Sequence, residues 1–387
     1  MIAVEQEVKA IGNLNEALDA LEERNAGSGE MWHSMIRYLD VRAREKGVPL
    51  NGVFEITPRC NFNCSMCYVH LNEAQLSATG KKVLTGDQWI KLIDQAAEAG
   101  LMYALMTGGE AMLHPDFERI YLHLLNKGVI LTLNTNGSLL TEERVEFFKQ
   151  HPPKMIKITL YGTSEDEYEK VTGTRSFSKV MDAVKRLKAA GLFFEVGITP
   201  SRYMKDSGKA ALQLLDSMDV FFSVNSGLFR PRQETGRAEE NHDLSLEEYV
   251  KLYRFRARLH GKEYTPVCQE DVRPAGGTGE ENPKGFRCAG GRSSFAMGWD
   301  GVLHPCLMMD EIGCSLFDYS FGEAWGMIHE AVMNYPFPQE CIGCAYRQIC
   351  TVCIKQHSYG APKGHANPML CERARRLALE GMIRVNC

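Results

Sequence analysis

The chain has 387 residues, of which 44% are hydrophobic and 24% are charged, a composition typical of a globular protein. Its formal net charge of −5 gives no overall attraction for nucleic acid or for an anionic lipid surface. The first 30 residues hold no apolar run of signal-peptide length, and no stretch of the chain is apolar for the roughly 18–20 residues that span a bilayer. These observations predict a cytoplasmic protein with no nucleic-acid partner and no membrane partner.

The cysteine content is unusual for a cytoplasmic protein, since the chain has 13 cysteines, an odd number. Persistent disulfides are disfavoured in a reducing compartment, where clustered cysteines more often bind metal or perform redox chemistry. We therefore interpret the cysteine clusters as metal sites rather than as a disulfide scaffold.

The predicted elements begin with a helical segment over residues 5–48, where apolar residues recur every three to four positions until Gly47. Strands separated by amphipathic helices follow, and the helices open on residues such as Thr85 and Pro115. The six predicted strands are VFEIT, YALMT, VILTLNTN, KMIKITLYG, FFEVGITP and VFFSVNSG. This alternation predicts an α/β fold with a parallel sheet, in the form of a partial (β/α)6 TIM-like barrel. Functional residues of such folds lie at the carboxyl ends of the strands.

The pattern changes after Gly227, where one more amphipathic helix, LSLEEYVKLYRFRARLHG, precedes a loop rich in glycine and proline. Residues 288–371 hold eight of the 13 cysteines and show little helical pattern except in FGEAWGMIHEAVMNY. This segment is too small for a large core, so we expect metal to hold it together in a small irregular domain. The predicted domains are a helical segment (1–50), the barrel (51–240), a helix with a linker (241–287) and the cysteine-rich domain (288–387).

The first cysteine cluster, CNFNCSMC, directly follows the first strand and contains Cys60, Cys64 and Cys67. Three thiolates at this spacing can converge on one site, and no fourth cysteine is near in the sequence. A structural zinc site is normally closed by four ligands, whereas a metal site that performs chemistry keeps one position open. The spacing C-x3-C-x2-C therefore indicates a reactive metal site.

This cluster, in the loop after the first strand of a six-unit barrel, resembles that of the radical S-adenosylmethionine (SAM) enzymes. The resemblance implies that Cys60, Cys64 and Cys67 hold a [4Fe–4S] cluster whose fourth iron is chelated by SAM. It further implies reductive cleavage of SAM to a 5′-deoxyadenosyl radical, which abstracts a hydrogen atom, while the protein positions the cofactors.

Further motifs stand at the ends of the next strands, where the resemblance places SAM contacts: TGGE, NTNG and TLYG. Glycines allow close backbone approach to a ligand, and the resemblance makes Glu110 an acceptor for the SAM amino group and Thr159 a ribose contact. The residue before the third cysteine is often aromatic in the family, whereas here it is Met66, followed after Cys67 by Tyr68. The implied SAM-binding residues are Met66, Tyr68, Gly108, Gly109, Glu110, Asn136 and Thr159.

The second cysteine set resembles the SPASM domain, an extension of some radical SAM enzymes that holds two auxiliary [4Fe–4S] clusters. FAMGWDGVLHPC reads as a hairpin through Asp300 and Gly301. The run CIGCAYRQICTVC departs from the family spacing only in CTVC, which has two residues between its cysteines instead of three. Two C-x-x-C pairs in a zinc site usually stand about 15–20 residues apart, so zinc is disfavoured here.

The resemblance also divides the ligands, because the last cysteine of the run crosses to the other cluster, as in bacterial ferredoxins. The implied distal ligands are Cys341, Cys344, Cys350 and Cys371, and the implied proximal ligands are Cys288, Cys306 and Cys353. Three alternatives stay open for the fourth proximal position: Cys268, Cys314, or an open site that binds a substrate thiolate. We list Cys268 among the predicted ligands.

The resemblance implies a peptide- or protein-modifying radical SAM oxidoreductase that forms a thioether or another crosslink, or oxidises a side chain. Its expected partners are a peptide or protein substrate, an external reductant such as flavodoxin or ferredoxin, and a separate leader-binding protein, because the segment before the barrel is shorter than a leader-binding domain. The alternatives are an anaerobic sulfatase-maturase-like enzyme, a small-molecule radical SAM dehydrogenase and, from another class, a non-catalytic metal-binding scaffold.

No general acid or base is singled out by the sequence, although Tyr161, Arg175 and Asp310 are suitable residue types. The charged stretch FRPRQETGRAEE after the sixth strand is placed to line the mouth of the site, but we favour a solvated face, because charged residues are mostly exposed.

Overall fold

The computed structural model describes residues 28–379 except 200, 205–206, 226–227, 233–234, 236–243, 260–284, 286–287, 343, 347–349 and 351–352. The chain divides into two compact units, Met1–Val48 and Pro49–Cys387. Helix α1 (Ser28–Lys46) belongs to the first unit, and Gly47 follows it with φ of 66°, a left-handed conformation that favours glycine. The start of the predicted helical segment lies outside the described residues.

The second unit contains the predicted alternation of strands and helices. Its first six strands are β1 (Asn51–Glu55), β2 (Tyr103–Thr107), β3 (Ile130–Thr135), β4 (Met155–Leu160), β5 (Phe194–Ile198) and β6 (Phe222–Val224). The helices of this part are α2 (Glu73–Ala78), α3 (Gly86–Glu98), α4 (Phe117–Asn126), α5 (Glu142–Gln150), α6 (Glu165–Thr172), α7 (Phe177–Ala189), α8 (Gly208–Ser217) and α9 (Leu246–Leu259). The predicted α/β fold with a parallel sheet is confirmed; the short helices α2 and α6 are additions to it.

Capping explains where the helices start. The side chain of Thr85 accepts a hydrogen bond from the backbone of Gln88, whose side chain bonds back to the Thr85 backbone, so α3 begins with a capping box, as the sequence predicts for Thr85. Helix α4 begins at Phe117, two residues after the predicted Pro115. In the part of the chain that the structure describes, no helix is both long and apolar enough to cross a bilayer.

One sheet joins the barrel strands to the cysteine-rich segment. Strands β1 to β6 are parallel neighbours in chain order, and β7 (Ser294–Met297) pairs in parallel with the other side of β1. The antiparallel strands β8 (Val302–His304) and β9 (Cys314–Ser315) complete the order β6-β5-β4-β3-β2-β1-β7-β8-β9. Gly301, with φ of 80°, turns the β7–β8 hairpin at the predicted position.

The two faces of the sheet have different characters. Leu131, Leu133, Ile156 and Ile158 point to the helix-covered face and belong to one large hydrophobic core. The alternate positions lie on the other, inner face, because side chains alternate along a strand. This inner face is polar: Lys157 lies beside Glu195, with 3.6 Å between Nζ and Oε2.

The cysteine-rich segment has more helix than the sequence predicts. Helix α10 (Phe321–Met333) packs under β7, with the rings of Phe295 and Phe321 5.0 Å apart, and the helices α11 (Ile354–Ser358) and α12 (Pro368–Leu379) follow. Helix α12 lies mostly beyond residues 288–371, the segment for which little helical pattern was noted, and its buried residues Ala374, Leu377 and Ala378 stand at helical spacing.

Candidate functional site

The first three cysteines lie in the loop after β1. Backbone N–H groups of Phe62 and His70 donate hydrogen bonds to the sulfurs of Cys60 and Cys67, at 3.4 and 3.3 Å. Hydrogen bonds of this kind favour the charged form of the acceptor. The loop therefore offers sulfurs that are already oriented by its backbone.

The three thiols converge on one side chain, Tyr161, which follows β4. Burial raises the pKa of Tyr161 well above its ordinary value, and the neighbouring Cys64, Cys67 and Cys60 raise it further. Burial also raises the pKa of Cys60 to about 12. Such thiols release their protons when they bind a metal, because metal ligation requires the thiolate. The three-thiol arrangement thus suits a bound metal cluster.

The two glycines after β2 bring two loops into contact. A Cβ atom on Gly109 would lie 2.3 Å from the carbonyl oxygen of Arg59, and one on Gly108 would lie 2.5 Å from that of Thr57. The backbone N–H of Gly109 donates to Thr57 at 2.7 Å. The close approach expected of these glycines is therefore made, in this structure, to the backbone of the cysteine loop.

Glu110 lies under this contact and is fully buried. Its carboxylate accepts hydrogen bonds from the Thr135 hydroxyl at 2.9 Å and from the Asn136 backbone at 2.8 Å. Burial raises the pKa of Glu110 to about 6, although these hydrogen bonds oppose the shift. A buried carboxylate that is costly to ionise is a suitable partner for a cation such as an ammonium group.

Asn136 connects the end of β3 to the cysteine loop. Its side-chain amide donates to Asn61 at 2.9 Å and to the sulfur of Cys60 at 3.7 Å. The structure therefore brings together Gly108, Gly109, Glu110, Asn136 and the first cysteine.

The other predicted SAM contacts surround this group. Met66 is buried within the cysteine loop, and Thr159 is partly exposed on the inner face of β4. Tyr68 packs edge-on against Phe229, with ring centroids 5.9 Å apart. The binding of SAM by these residues stays a prediction.

One thiol set of the C-terminal segment consists of Cys341, Cys344, Cys350 and Cys371. Burial raises the pKa of Cys341 to about 12, and Cys371, Cys350 and Cys344 raise it further. Burial likewise raises the pKa of Cys350 to about 11, with added contributions from Cys371 and Cys344. Cys371 lies on helix α12, about twenty residues after the cysteine run 341–353 in the sequence. We call this group the distal thiol set.

A second set, which we call the proximal thiol set, consists of Cys288, Cys306 and Cys353. Burial raises the pKa of Cys306 to about 11, and Cys288 and Cys353 raise it further. A Cβ atom on Gly290 would lie 3.5 Å from the Cys288 sulfur and 3.7 Å from the Cys306 Cβ, so this glycine lies between the two. Cys288 and Cys353 are thus electrostatic neighbours of Cys306, and both the division of the ligands and the binding of iron stay predictions.

Cys314 is one of the three alternatives for the fourth proximal position, which stay open. Its strand, β9, pairs with β8, and its titration is affected first by burial, which raises its pKa, and then by Asp318 and Glu323 rather than by thiols. Cys268 lies outside the described residues.

Among the described residues, no group of three or more His, Cys, Asp or Glu side chains is placed to hold a single metal ion. Cysteine thiolates are the usual ligands of [4Fe–4S] clusters, and they bind different irons of the cluster. The three thiol groups are therefore suitable donors for such clusters.

Comparison with known proteins decides the family. Residues 54–208, which include the first three cysteines and all the predicted SAM contacts, match the model of the radical SAM superfamily. The chain carries a radical SAM domain. The family resemblance inferred from the sequence is confirmed.

Similar proteins extend beyond this radical SAM domain. The chain is 22% identical to the AdoMet-dependent heme synthase of Methanosarcina barkeri, over 80% of this chain and 91% of that protein. It is also 22% identical to the antilisterial bacteriocin subtilosin biosynthesis protein AlbA of Bacillus subtilis, over 89% of this chain and 75% of that protein.

Among solved structures, SuiB of Streptococcus suis bound to S-adenosylmethionine superposes with a TM-score of 0.67 at 14% identity, over 95% of this chain and 88% of SuiB. The same protein bound to the precursor peptide SuiA gives a TM-score of 0.66 at 14% identity, over 89% of this chain and 81% of that chain. At this identity the likeness concerns the fold, and it agrees with the predicted partial barrel.

The cofactors of radical SAM domains are a [4Fe–4S] cluster and SAM, and the site fits both. Cys60, Cys64 and Cys67 form a donor set with one position left for a further ligand, and the carboxylate of Glu110 lies beside Cys60.

Sequence reasoning missed charged residues that the tertiary structure buries. Glu55 of β1 is fully buried and pairs with Arg232, whose side chain is only 20% exposed. The interpretation of the segment around Arg232 as a solvated face is thus wrong for this residue, because a buried carboxylate 177 positions away holds it. Sequence reasoning also missed Lys157 and Glu195, which become candidate site residues only through their placement on the inner face of the sheet.

The three residues named as acids or bases have different surroundings. Arg175 forms exposed ion pairs with Asp166 and Glu169. Asp310 is held by Lys355 at 2.6 Å. Only Tyr161 lies at the first thiol group.

The ligand division predicts the iron content of cysteine variants. The double variants Cys350→Ala/Cys371→Ala and Cys306→Ala/Cys353→Ala should each lower the iron content from about twelve to about eight atoms per chain, and their combination should leave about four. Iron analysis and Mössbauer spectroscopy of anaerobically purified protein measure this. Cys314→Ala is the matched control and should keep about twelve; a loss of four irons there would make Cys314 a ligand.

The burial of Glu110 predicts a pH dependence of stability. The folded apoprotein holds a proton at Glu110 up to about pH 6, whereas an unfolded chain releases it near 4.5. The free energy of unfolding should therefore fall by about 2 kcal/mol as pH rises through this window. Denaturant unfolding of apoprotein and of Glu110→Gln measures the difference, since the variant lacks this contribution. If the free energy of unfolding depended on pH equally in the wild type and in Glu110→Gln, the burial of Glu110 would not be the cause.

Proposed function

We propose that the chain is a radical SAM enzyme that abstracts hydrogen from a residue of a peptide and leaves a thioether or another crosslink, or an oxidised side chain. One observation carries this proposal: a three-thiol group follows the first strand of the barrel, and two further thiol sets belong to the same compact unit of the chain. Oxidative crosslinking releases electrons from the substrate, and additional clusters are suited to accept them.

The bound cofactors supply a 5′-deoxyadenosyl radical, and the residues of the chain bind and orient them. We assign Cys60, Cys64 and Cys67 to the SAM-binding cluster and Glu110 to the SAM amino group. Gly108 and Gly109 fix the second loop against the first, so that the carboxylate and the thiols keep their distance. Asn136 donates to the Cys60 sulfur and so stabilises its thiolate.

The remaining cofactor contacts follow the same placement. Thr159 would contact the ribose, and Met66 and Tyr68 would line the adenine side. Two auxiliary clusters would be held by the distal and proximal thiol sets, with Cys268 or an open position completing the latter. The proposed domain boundaries are those predicted from the sequence.

A peptide substrate is supported by the relatives. AlbA is named for the biosynthesis of the bacteriocin subtilosin, and SuiB was solved with a precursor peptide. We further propose that flavodoxin or ferredoxin supplies the electrons and that a separate protein recognises the leader of the peptide. Of the specific outcomes, a thioether is the one we favour.

A small-molecule reaction is the second candidate. The match to the AdoMet-dependent heme synthase covers 91% of that protein, whose name indicates the synthesis of heme, a small molecule. The inner face of the sheet is charged at Lys157 and Glu195, which suits either a peptide or the carboxylates of a small molecule.

The test is anaerobic incubation of reduced protein with SAM, followed by measurement of 5′-deoxyadenosine. Intact clusters without 5′-deoxyadenosine would overturn the proposed mechanism, and a colourless zinc protein would favour the scaffold alternative. Cysteine-containing peptides encoded beside the gene are then assayed by mass spectrometry for the loss of two hydrogens. Turnover of an iron porphyrin precursor with unchanged peptides would favour the second candidate.

A further inference from the structure

Arg232 connects three parts of the chain that are far apart in the sequence. Its guanidinium donates two hydrogen bonds to the carboxylate of Glu55, at 2.7 and 3.0 Å, in a bidentate pair. The same group donates to the carbonyl of Leu307 at 3.0 Å, and the Arg232 backbone N–H donates to the carbonyl of Tyr68 at 3.2 Å. The guanidinium also lies 5.5 Å from the centroid of the Tyr68 ring.

The two carbonyls that Arg232 contacts each adjoin a thiol. Tyr68 directly follows Cys67, the last of the first three cysteines, and Leu307 directly follows Cys306 of the proximal thiol set. Arg232 is thus hydrogen-bonded to both cysteine loops.

The region between the two loops contains a cavity and is not fully packed. Arg232 lines a cavity of about 360 Å³ together with Val69 of the cysteine loop and Leu307 of the C-terminal loop. Direct packing alone therefore does not fix the distance between these loops. The hydrogen bonds of Arg232 span this part of the interface instead.

The charge of this contact is as specific as its geometry. Glu55 is fully buried and Arg232 is only 20% exposed, so the two charges act through a medium of low dielectric constant. The net charge and the hydrogen bonds around an iron–sulfur cluster set its reduction potential. A buried positive charge and a buried negative charge close to two thiol groups have opposite effects on that potential.

We propose that the Arg232–Glu55 pair is a positioning element that holds the SAM-binding cysteine loop (residues 59–71) against the proximal cysteine loop (residues 305–309). The pair also sets the reduction potential of the clusters bound there. Arg232 and Glu55 are positioning residues, since neither contacts the reacting atoms. The proposal rests on the assignment of clusters to the thiol sets, and it is independent of which substrate the enzyme modifies.

The test is potentiometric titration of the anaerobic holoprotein, followed by electron paramagnetic resonance, with iron content measured for each variant. Arg232→Met removes a positive charge and should shift the potentials downward, because the reduced clusters lose a favourable neighbour. Glu55→Gln removes a negative charge and should shift them upward. The double variant should return towards the wild-type potentials.

A purely structural role would not give shifts of opposite sign. Shifts of the same sign, or unchanged potentials with full iron content, would overturn the proposal. If Arg232→Met fails to retain iron, Glu55→Gln carries the test alone, and unchanged potentials there would overturn it. Arg232→Lys keeps the positive charge but loses the bidentate hydrogen bonds of the guanidinium, so the reduction potentials of the clusters should stay near those of the wild type.

The positioning role has its own readout in hydrogen exchange. In Arg232→Lys, backbone amides of residues 59–71 and 305–309 should exchange together about tenfold faster than in the wild type. Faster exchange in only one of these loops would contradict the coupling. Loss of peptide modification with normal 5′-deoxyadenosine formation would instead count against the proposed substrate and leave this inference standing.

Discussion

Replacing Cys64 with alanine should abolish formation of 5′-deoxyadenosine while the protein keeps about eight of about twelve irons. The reason is that Cys64 belongs to the three-thiol group at Tyr161, whereas the distal and proximal thiol sets use other cysteines. A site with two thiolates lacks the ligands that a [4Fe–4S] cluster needs. Iron analysis, absorption spectra and chromatography of the reaction with SAM measure the three quantities.

The matched control for this variant is Cys314→Ala, which removes a buried thiol of β9 outside the three sets. It should keep the full iron content and form 5′-deoxyadenosine at a rate near that of the wild type. Formation of 5′-deoxyadenosine by Cys64→Ala would show that the first thiol group is not the SAM-binding site.

Replacing Gly109 with alanine should lower the free energy of unfolding by about 3 kcal/mol, because the new methyl group overlaps backbone atoms that cannot rotate away. The Cβ would lie 2.3 Å from the carbonyl oxygen of Arg59 and 2.7 Å from that of Pro58. Relief requires the β2 loop to move away from the cysteine loop, and this breaks the 2.8 Å hydrogen bond from the Glu110 backbone to Arg59. Denaturant unfolding measures the stability, and calorimetry measures the expected loss of SAM affinity.

Gly322→Ala provides the control for the added methyl group. This glycine lies in α10, and a Cβ there would meet nothing within 4 Å. Alanine is favoured over glycine in a helix by about 1 kcal/mol, so this variant should be as stable as the wild type or more stable. Equal stability of Gly109→Ala and wild type would mean that the two loops are not held as tightly as the distances indicate.

The local pattern of the sequence was sufficient for the strands and for the first cysteine group. Hydrophobic runs and capping residues such as Thr85 are local signals, and so is the spacing of Cys60, Cys64 and Cys67. The hairpin at Gly301 was predictable for the same reason, because the turn conformation requires particular residue types. Helix α12 was not among the predicted elements, although its buried residues Ala374, Leu377 and Ala378 stand at helical spacing.

Contacts between distant parts of the chain were not predictable from these local signals. The pairing of β7 with β1, which joins the cysteine-rich segment to the barrel sheet, depends on a register between strands more than 200 residues apart. The roles of Gly108 and Gly109 depend on a neighbouring loop, and the burial of Arg232 depends on Glu55.

The sequence by itself determined the α/β class and the family of this protein, because hydrophobic periodicity and cysteine spacing are properties of short segments. Only the tertiary structure decided which carboxylates are buried and which residue spans the two cysteine loops. Burial and electrostatic coupling depend on distances in space, and residues such as Cys371 and Arg232 acquire their neighbours only when the sheet and the loops have assembled.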